Sequence, residues 1–266
     1  MYKRQVYNAA GGYLSICSGI KGYNVTVTNG AQSGLASMAY AMSVLRSGQE
    51  NAMLATGSDE NSDIMTELFD KLGVTSEKVV APFAGNDGFV LSDGSASVLI
   101  EDEKSAKERG ARIYCHASGY GMAHSNVKFG TLTGSEAGLT NAVNNALADA
   151  GITIDDIDAV FGFANGMKAV DDVEIKGLTA VFGDKLAEKP VVELKEVLGE
   201  SRAAAATTAA AHAALMFAGK IPSQDAYSIA ADGSVSKTKA EASKLNNVLV
   251  AAYGAGGSYT AIVLSK

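Results

Sequence analysis

Apolar residues recur at helical spacing through residues 32–47, where Leu35, Met38, Ala39, Met42 and Leu45 fall on one side of a 3.6-residue repeat. Just before them, residues 23–29 (YNVTVTN) alternate β-branched and polar positions and end in turn formers, which predicts a strand. Residues 51–57 predict a buried strand and residues 62–72 a weaker helix. The stretch DGFVLSDGSASVLIED predicts a hairpin turning near Asp93-Gly94. Nearer the start, GGYLSICSGIKG predicts a helix buried by its apolar side.

The second half is more regular. Strand 111–122 is followed by helix 135–150, strand 157–164, helix 171–182, strand 190–194, helix 201–218 and two closing strands, 248–253 and 258–264. The order is βαβαβαββ. The first half yields strand, helix, strand, strand, which matches only the last part of that order. Read as a repeat, it lacks an opening βαβα. Helices between parallel strands imply a layered α/β protein.

Composition narrows the classes. The chain has 266 residues, 47% of them hydrophobic, enough for one large core or two fused half-units. A net charge of -7 with no basic stripe argues against nucleic acid as a partner. Two cysteines, Cys17 and Cys115, form no disulfide framework and suit a reducing, cytoplasmic location. The Ala-rich residues 203–219 contain Thr207, Thr208 and His212, and read as a buried helix of a soluble protein, not a membrane span. MYKRQVYNAAGG lacks the apolar run of a signal peptide. MYKRQ matches the translation of a sequencing-adapter end from a GTG start, so residues 1–5 are expected to be non-native and the reading frame to be cut at the front.

Five segments, in order, resemble the β-ketoacyl-acyl carrier protein synthases of the thiolase superfamily. IKGYNVTVTNGAQSGLASMAYAMSVLRSGQENAMLATGSDE resembles that family's nucleophile strand, elbow, helix and following strand. APFAGNDGFVLSDGSASVLIEDEKSAKERGARIY resembles its Pro-Phe, Asp-Gly-Phe-Val and Gly-rich segment, and is the most specific match. DDVEIKGLTAVFGD, VVELKEVLGESRAAAATTAAAHAALMFAGKIP and AAYGAGGSYTAIVL resemble its later helices, its lysine segment and its closing turn. The resemblance implies a thiolase-like αβαβα five-layer fold. Residues 6–110 would be the later part of the first half, without its opening βαβα, and residues 111–266 a complete second half.

That chemistry needs a thiolate at a helix N-terminus to take the acyl chain, and two histidines to stabilise an enolate as malonyl loses carbon dioxide. Carried over by position, the cysteine falls at Ala31, the first histidine at Asn165 and the second at Glu200, while the lysine is retained as Lys195. A methyl group forms no thioester, asparagine does not titrate near neutral pH, and a carboxylate repels an enolate. The resemblance therefore implies a condensation-inactive subunit, like a chain-length factor (ketosynthase β). Gln32, one residue past the nucleophile position, with Ser33, Tyr253 and Ala255, would line or gate an acyl pocket.

The implied partners are a catalytic ketosynthase or a second copy, joined through strand 23–29, and an acyl carrier protein whose phosphopantetheine arm bears the substrate. No cofactor, metal, nucleic acid or membrane is expected. Two other readings remain: an acyltransferase with an unusual nucleophile such as Ser33, and a truncated coding sequence without function of its own. Cys17, Cys115 and His212 read as packing residues. His116, His124 and His212 lack metal-site spacing and fall on none of the family's active-site segments.

Overall fold

A computed structural model describes residues 6–128 and 134–266; residues 1–5, read above as adapter-derived, lie outside the described residues. The chain runs through α1 (Ala9–Ser18), α2 (Ser33–Arg46), β1 (Ala52–Asp59), α3 (Asp63–Lys71), β2 (Gly94–Glu101) and α4 (Glu103–Glu108). It continues through β3 (His116–His124), α5 (Glu136–Ala150), β4 (Ala159–Phe161), α6 (Lys168–Phe182), β5 (Val191–Val192) and α7 (Lys195–Leu198). It closes with α8 (Ala203–Phe217), β6 (Ser223–Ile229), β7 (Val235–Glu241), β8 (Asn247–Gly254) and β9 (Ser258–Ser265).

Seven strands form one mixed sheet in the order β3-β9-β8-β4-β5-β6-β7. β4 runs parallel to both β5 and β8, and β9 is antiparallel to β3 and β8. Strands β8 and β9 read as unbroken apolar runs because both their faces are covered. On one side Leu139, Val143, Leu178 and Phe182 of α5 and α6 pack against Leu249 and Val263. On the other, Leu35, Met38, Ala213 and Met216 of α2 and α8 pack against Val250 and Ile262. Beyond α2 and α8 lies a second, two-stranded antiparallel sheet, β1-β2. The layers are α5/α6, seven-stranded sheet, α2/α8, two-stranded sheet, a thiolase-like arrangement.

Glycine sets the spacing of the central layers. A Cβ at Gly34 or Gly57 would collide with the carbonyl of Ala203 and the hydroxyl of Thr207. Helix α2 and strand β1 therefore approach the first turn of α8 backbone to backbone.

Several expectations need correction. Residues 23–28 form no ladder; they are largely exposed, and only Asn29 bridges locally to Ala31. An alternating pattern specifies a strand only where a neighbour supplies the other half of the hydrogen bonds. The segment at Asp93-Gly94 does not turn a hairpin. Residues 88–92 run as an arm that hydrogen-bonds Val74 and Ser76 on one side and Glu200 on the other, and β2 pairs with β1 instead. Strand β1 is half-buried, not buried, because its outer face is open: the cross-strand partners Leu54 and Leu99 are 38% and 56% exposed. Helix α1 buries none of its residues, and Cys17 is exposed. The order βαβαβαββ omitted the β6-β7 hairpin, which extends the large sheet past β5.

Candidate functional site

The site is assembled where three connections meet: the loop after β4, the loop between α7 and α8, and the arm before β2. Acidic residues in the first turns of α6 fold the first loop. Asp171 accepts the backbone N–H groups of Asn165 (3.0 Å), Gly166 (3.2 Å) and Phe83 (2.6 Å). Its burial pushes the carboxyl above the ordinary range, while those N–H groups pull it back. Phe83, held in this way at φ 64, packs edge-on against Tyr227 with ring centroids 5.1 Å apart.

Asn165, Lys195 and Glu200 meet directly. The Asn165 amide donates to Glu200 Oε2 (2.9 Å), and Lys195 Nζ donates to the same oxygen (2.7 Å) and to the carbonyl of Phe163 (3.0 Å). The other Glu200 oxygen accepts the backbone N–H of Arg202 (2.8 Å). Asn165 and Glu200 are buried, at 7% and 5% exposure. Both carboxylate oxygens are thus occupied, and the charge is matched by a lysine that is itself little exposed. Arg202, at φ 48, pairs bidentately with Asp59 at the end of β1 and donates to the carbonyl of Glu60.

The elbow lies at the start of α2. Gly30 adopts φ +68 and passes close to the closing turn, where a Cβ on it would meet Gly254 Cα at 3.7 Å and the Ala255 nitrogen at 3.9 Å. Ala31 offers only a half-buried methyl group. Ser33 Oγ accepts the N–H of Asn29 (2.6 Å) and donates to the carbonyl of Gly30 (2.6 Å), so its proton goes to the backbone and not to a base. Gln32 is fully buried, its carbonyl oxygen accepting the hydroxyl of Thr260 and its amide nitrogen lacking an acceptor among the described residues. Tyr253 stacks at 5.7 Å from Phe163 and 5.3 Å from Tyr259, which ties the closing strand to the Asn165 loop. Ala255 is exposed.

Neither thiol nor imidazole joins this constellation. Cys17 sits on α1, and burial pushes the Cys115 thiol, just before β3, up to about 11. His116 and His124 mark the two ends of β3. His212 is a half-buried residue of α8 beside Phe161, and burial pushes its pKa down while a hydrogen bond with Gln224 opposes that shift. Among the described residues no group of three or more His, Cys, Asp or Glu could hold a metal ion, and no helix is long and apolar enough to cross a membrane. Sequence reasoning overlooked Asp171, Glu174, Glu193 and Arg202. The i, i+3 acidic pair at the start of α6 was the available signal for the first two.

Comparison with known proteins agrees with this architecture. Residues 1–106 match the family model "Beta-ketoacyl synthase, N-terminal domain", and residues 114–227 match "Beta-ketoacyl synthase, C-terminal domain". The chain belongs to the β-ketoacyl synthase family. It is 28% identical over 208 residues to a 3-oxoacyl-[acyl-carrier-protein] synthase 2 of Coxiella burnetii, covering 75% of this chain and 50% of that protein. It is 28% identical over 259 residues to a putative polyketide beta-ketoacyl synthase 1 of Streptomyces halstedii, covering 93% of this chain and 61% of that one. Among solved structures, the ishigamide ketosynthase/chain length factor superposes with a TM-score of 0.87 at 23% identity, covering 99% of this chain and 66% of that chain. A type II polyketide ketosynthase in complex with its acyl-carrier protein superposes at 0.86 and 20% identity, covering 99% of this chain and 68% of that one. The chain spans about half the length of the curated relatives it matches.

Proposed function

We propose that this chain is a non-condensing ketosynthase-like subunit of fatty acid or polyketide synthesis, related in role to a chain-length factor. Residues 6–110 and 111–266 are its two half-units. The carrying observation is the closed network at Asn165, Glu200 and Lys195. If the family's two histidines correspond to Asn165 and Glu200, both positions hold side chains whose hydrogen bonds go to each other, to Lys195 and to the backbone N–H groups of Met167 and Arg202. An asparagine amide does not titrate near neutral pH, and a carboxylate adds no positive charge for an enolate. Ala31, at the corresponding nucleophile position, adds no thiol. The chain would then act by binding: pairing with a catalytic ketosynthase along residues 23–29, which are largely exposed, and helping to shape the space for a chain carried on an acyl carrier protein.

The test is incubation of the full chain with an acylated carrier protein and malonyl carrier protein, followed by intact-mass analysis, with and without a Cys-His-His ketosynthase from the same gene neighbourhood. We expect no acyl adduct on this chain, no decarboxylation by it alone, and co-elution with the ketosynthase. An acyl adduct on Ser33 or on any other side chain would overturn the reading in favour of an unusual acyltransferase.

A further inference from the structure

Behind the Asn165–Glu200–Lys195 cluster lie two carboxyl groups that this reading does not use. Glu174 of α6 is fully buried, and Glu193, on the segment leaving β5, is 4% exposed. Their Oε1 atoms converge over Gly162, where a Cβ would collide with both. Glu174 Oε2 accepts the N–H of Phe163 (2.7 Å). Among the described residues nothing else donates to Glu174 Oε1 or to either oxygen of Glu193. If both groups were ionised, two buried like charges would face each other with three oxygens lacking a donor, and such a pair does not ionise twice near neutral pH. A single proton resolves the conflict: protonated Glu193 donates to the Glu174 carboxylate.

We propose that Glu174 and Glu193 form a carboxylic acid–carboxylate pair that holds one proton at neutral pH, on Glu193, and that this proton is a pH-sensitive lock on the loop carrying Asn165. The lock works through the backbone of Phe163, whose N–H is held by Glu174 and whose carbonyl is held by Lys195. Loss of the proton would set two anions against that loop.

The surroundings cannot easily absorb the second charge. From α6, Asp171 adds repulsion; from α7, Lys195 attracts but already serves Glu200. On the neighbouring strands, Tyr227 of β6 and Lys237 of β7 are engaged with Glu196. Tyr227 is itself held un-ionised, first by burial and then by Glu196 and Glu193. Burial is the main cause that raises both carboxyls, Glu193 well above its ordinary 4.5. The folded chain therefore retains a proton that the unfolded chain has released. Stability from this source is complete below the ordinary glutamate range and falls as pH rises through the elevated value. The inference does not depend on whether the chain condenses.

The test is urea unfolding of the full chain and of Glu193→Gln from about pH 5 to about pH 9, with infrared spectra of each. The amide that this substitution introduces keeps a donor toward Glu174 and does not titrate. Relative to the variant, the wild-type folding equilibrium constant should fall as pH rises, approaching about tenfold per pH unit until the elevated value is passed. The wild type at pH 7 should display the C=O stretch of a buried protonated carboxyl, and Glu193→Gln should lose it. Parallel pH profiles would overturn the proposal. So would a wild type without that band, a result that needs no variant to fold, or a band retained in Glu193→Gln, which would assign the proton to another acid such as Asp171.

Discussion

Glu200 and Lys195 carry opposite charges at 6% and 12% side-chain exposure, so each is the condition for the other. Removing one partner of such a pair leaves an uncompensated buried charge, at a cost of about 3–5 kcal/mol. Lys195→Met should lower the urea midpoint accordingly, and adding Glu200→Gln to that background should recover part of the loss. An unchanged urea midpoint for Lys195→Met would show that the ion pair adds nothing to stability. Arg202 is a second residue-scale commitment. It joins the start of α8 to the end of β1 through two N–H···O contacts with Asp59, a fork geometry that lysine cannot reproduce. Arg202→Lys should therefore destabilise the chain by about 1–2 kcal/mol, read by thermal unfolding.

At the scale of elements, the contact between α2, β1 and α8 depends on two missing side chains. A methyl at Gly34 would strike backbone oxygen, which cannot swing aside as a flexible side chain could. Gly34→Ala should cost about 1–3 kcal/mol by forcing α2 away from α8, whereas Gly48→Ala, with open space around it, should be decided by its φ of +71 alone. Coincident unfolding curves for Gly34→Ala and the wild type would show that the layers can separate without loss. The sequence made α2, α5, α6 and α8 legible because each presents an apolar stripe to a sheet. It misled at Asp93-Gly94, since a turn-forming dipeptide says nothing about which strand will pair with the next one. It also misled at α1, whose apolar residues are exposed: a periodic pattern implies burial only when another surface is present to receive it.

Across the whole molecule, the two sheets differ in support. The seven-stranded sheet is packed on both faces, while β1-β2 is covered by α2 and α8 on one face and leaves Leu54 and Leu99 open on the other. Opening free energies follow buried contact and hydrogen-bond protection. Hydrogen-exchange mass spectrometry should find the slowest amides in β8 and β9, intermediate ones in β1 and β2, and near-free exchange in residues 23–28. Binding of a partner along 23–28 should slow that segment first. Equal protection of both sheets in the isolated chain would contradict this ordering.

By itself the sequence determined the class of fold, the order of most elements and the family, because those depend on hydrophobic periodicity and on short motifs that act locally. It also placed Asn165, Lys195 and Glu200 as the positions to watch, through a resemblance carried by their neighbours along the chain. Only the tertiary structure decided that these three close on one another, that Arg202 joins the start of α8 to the end of β1, and that Glu174 meets Glu193 over Gly162. Residues 174 and 193 lie on different elements, and nothing local in either segment marks the other as its partner. A carboxyl group's charge is set by what surrounds it after folding, so the proton between them could be inferred only once both side chains had been brought out of water together.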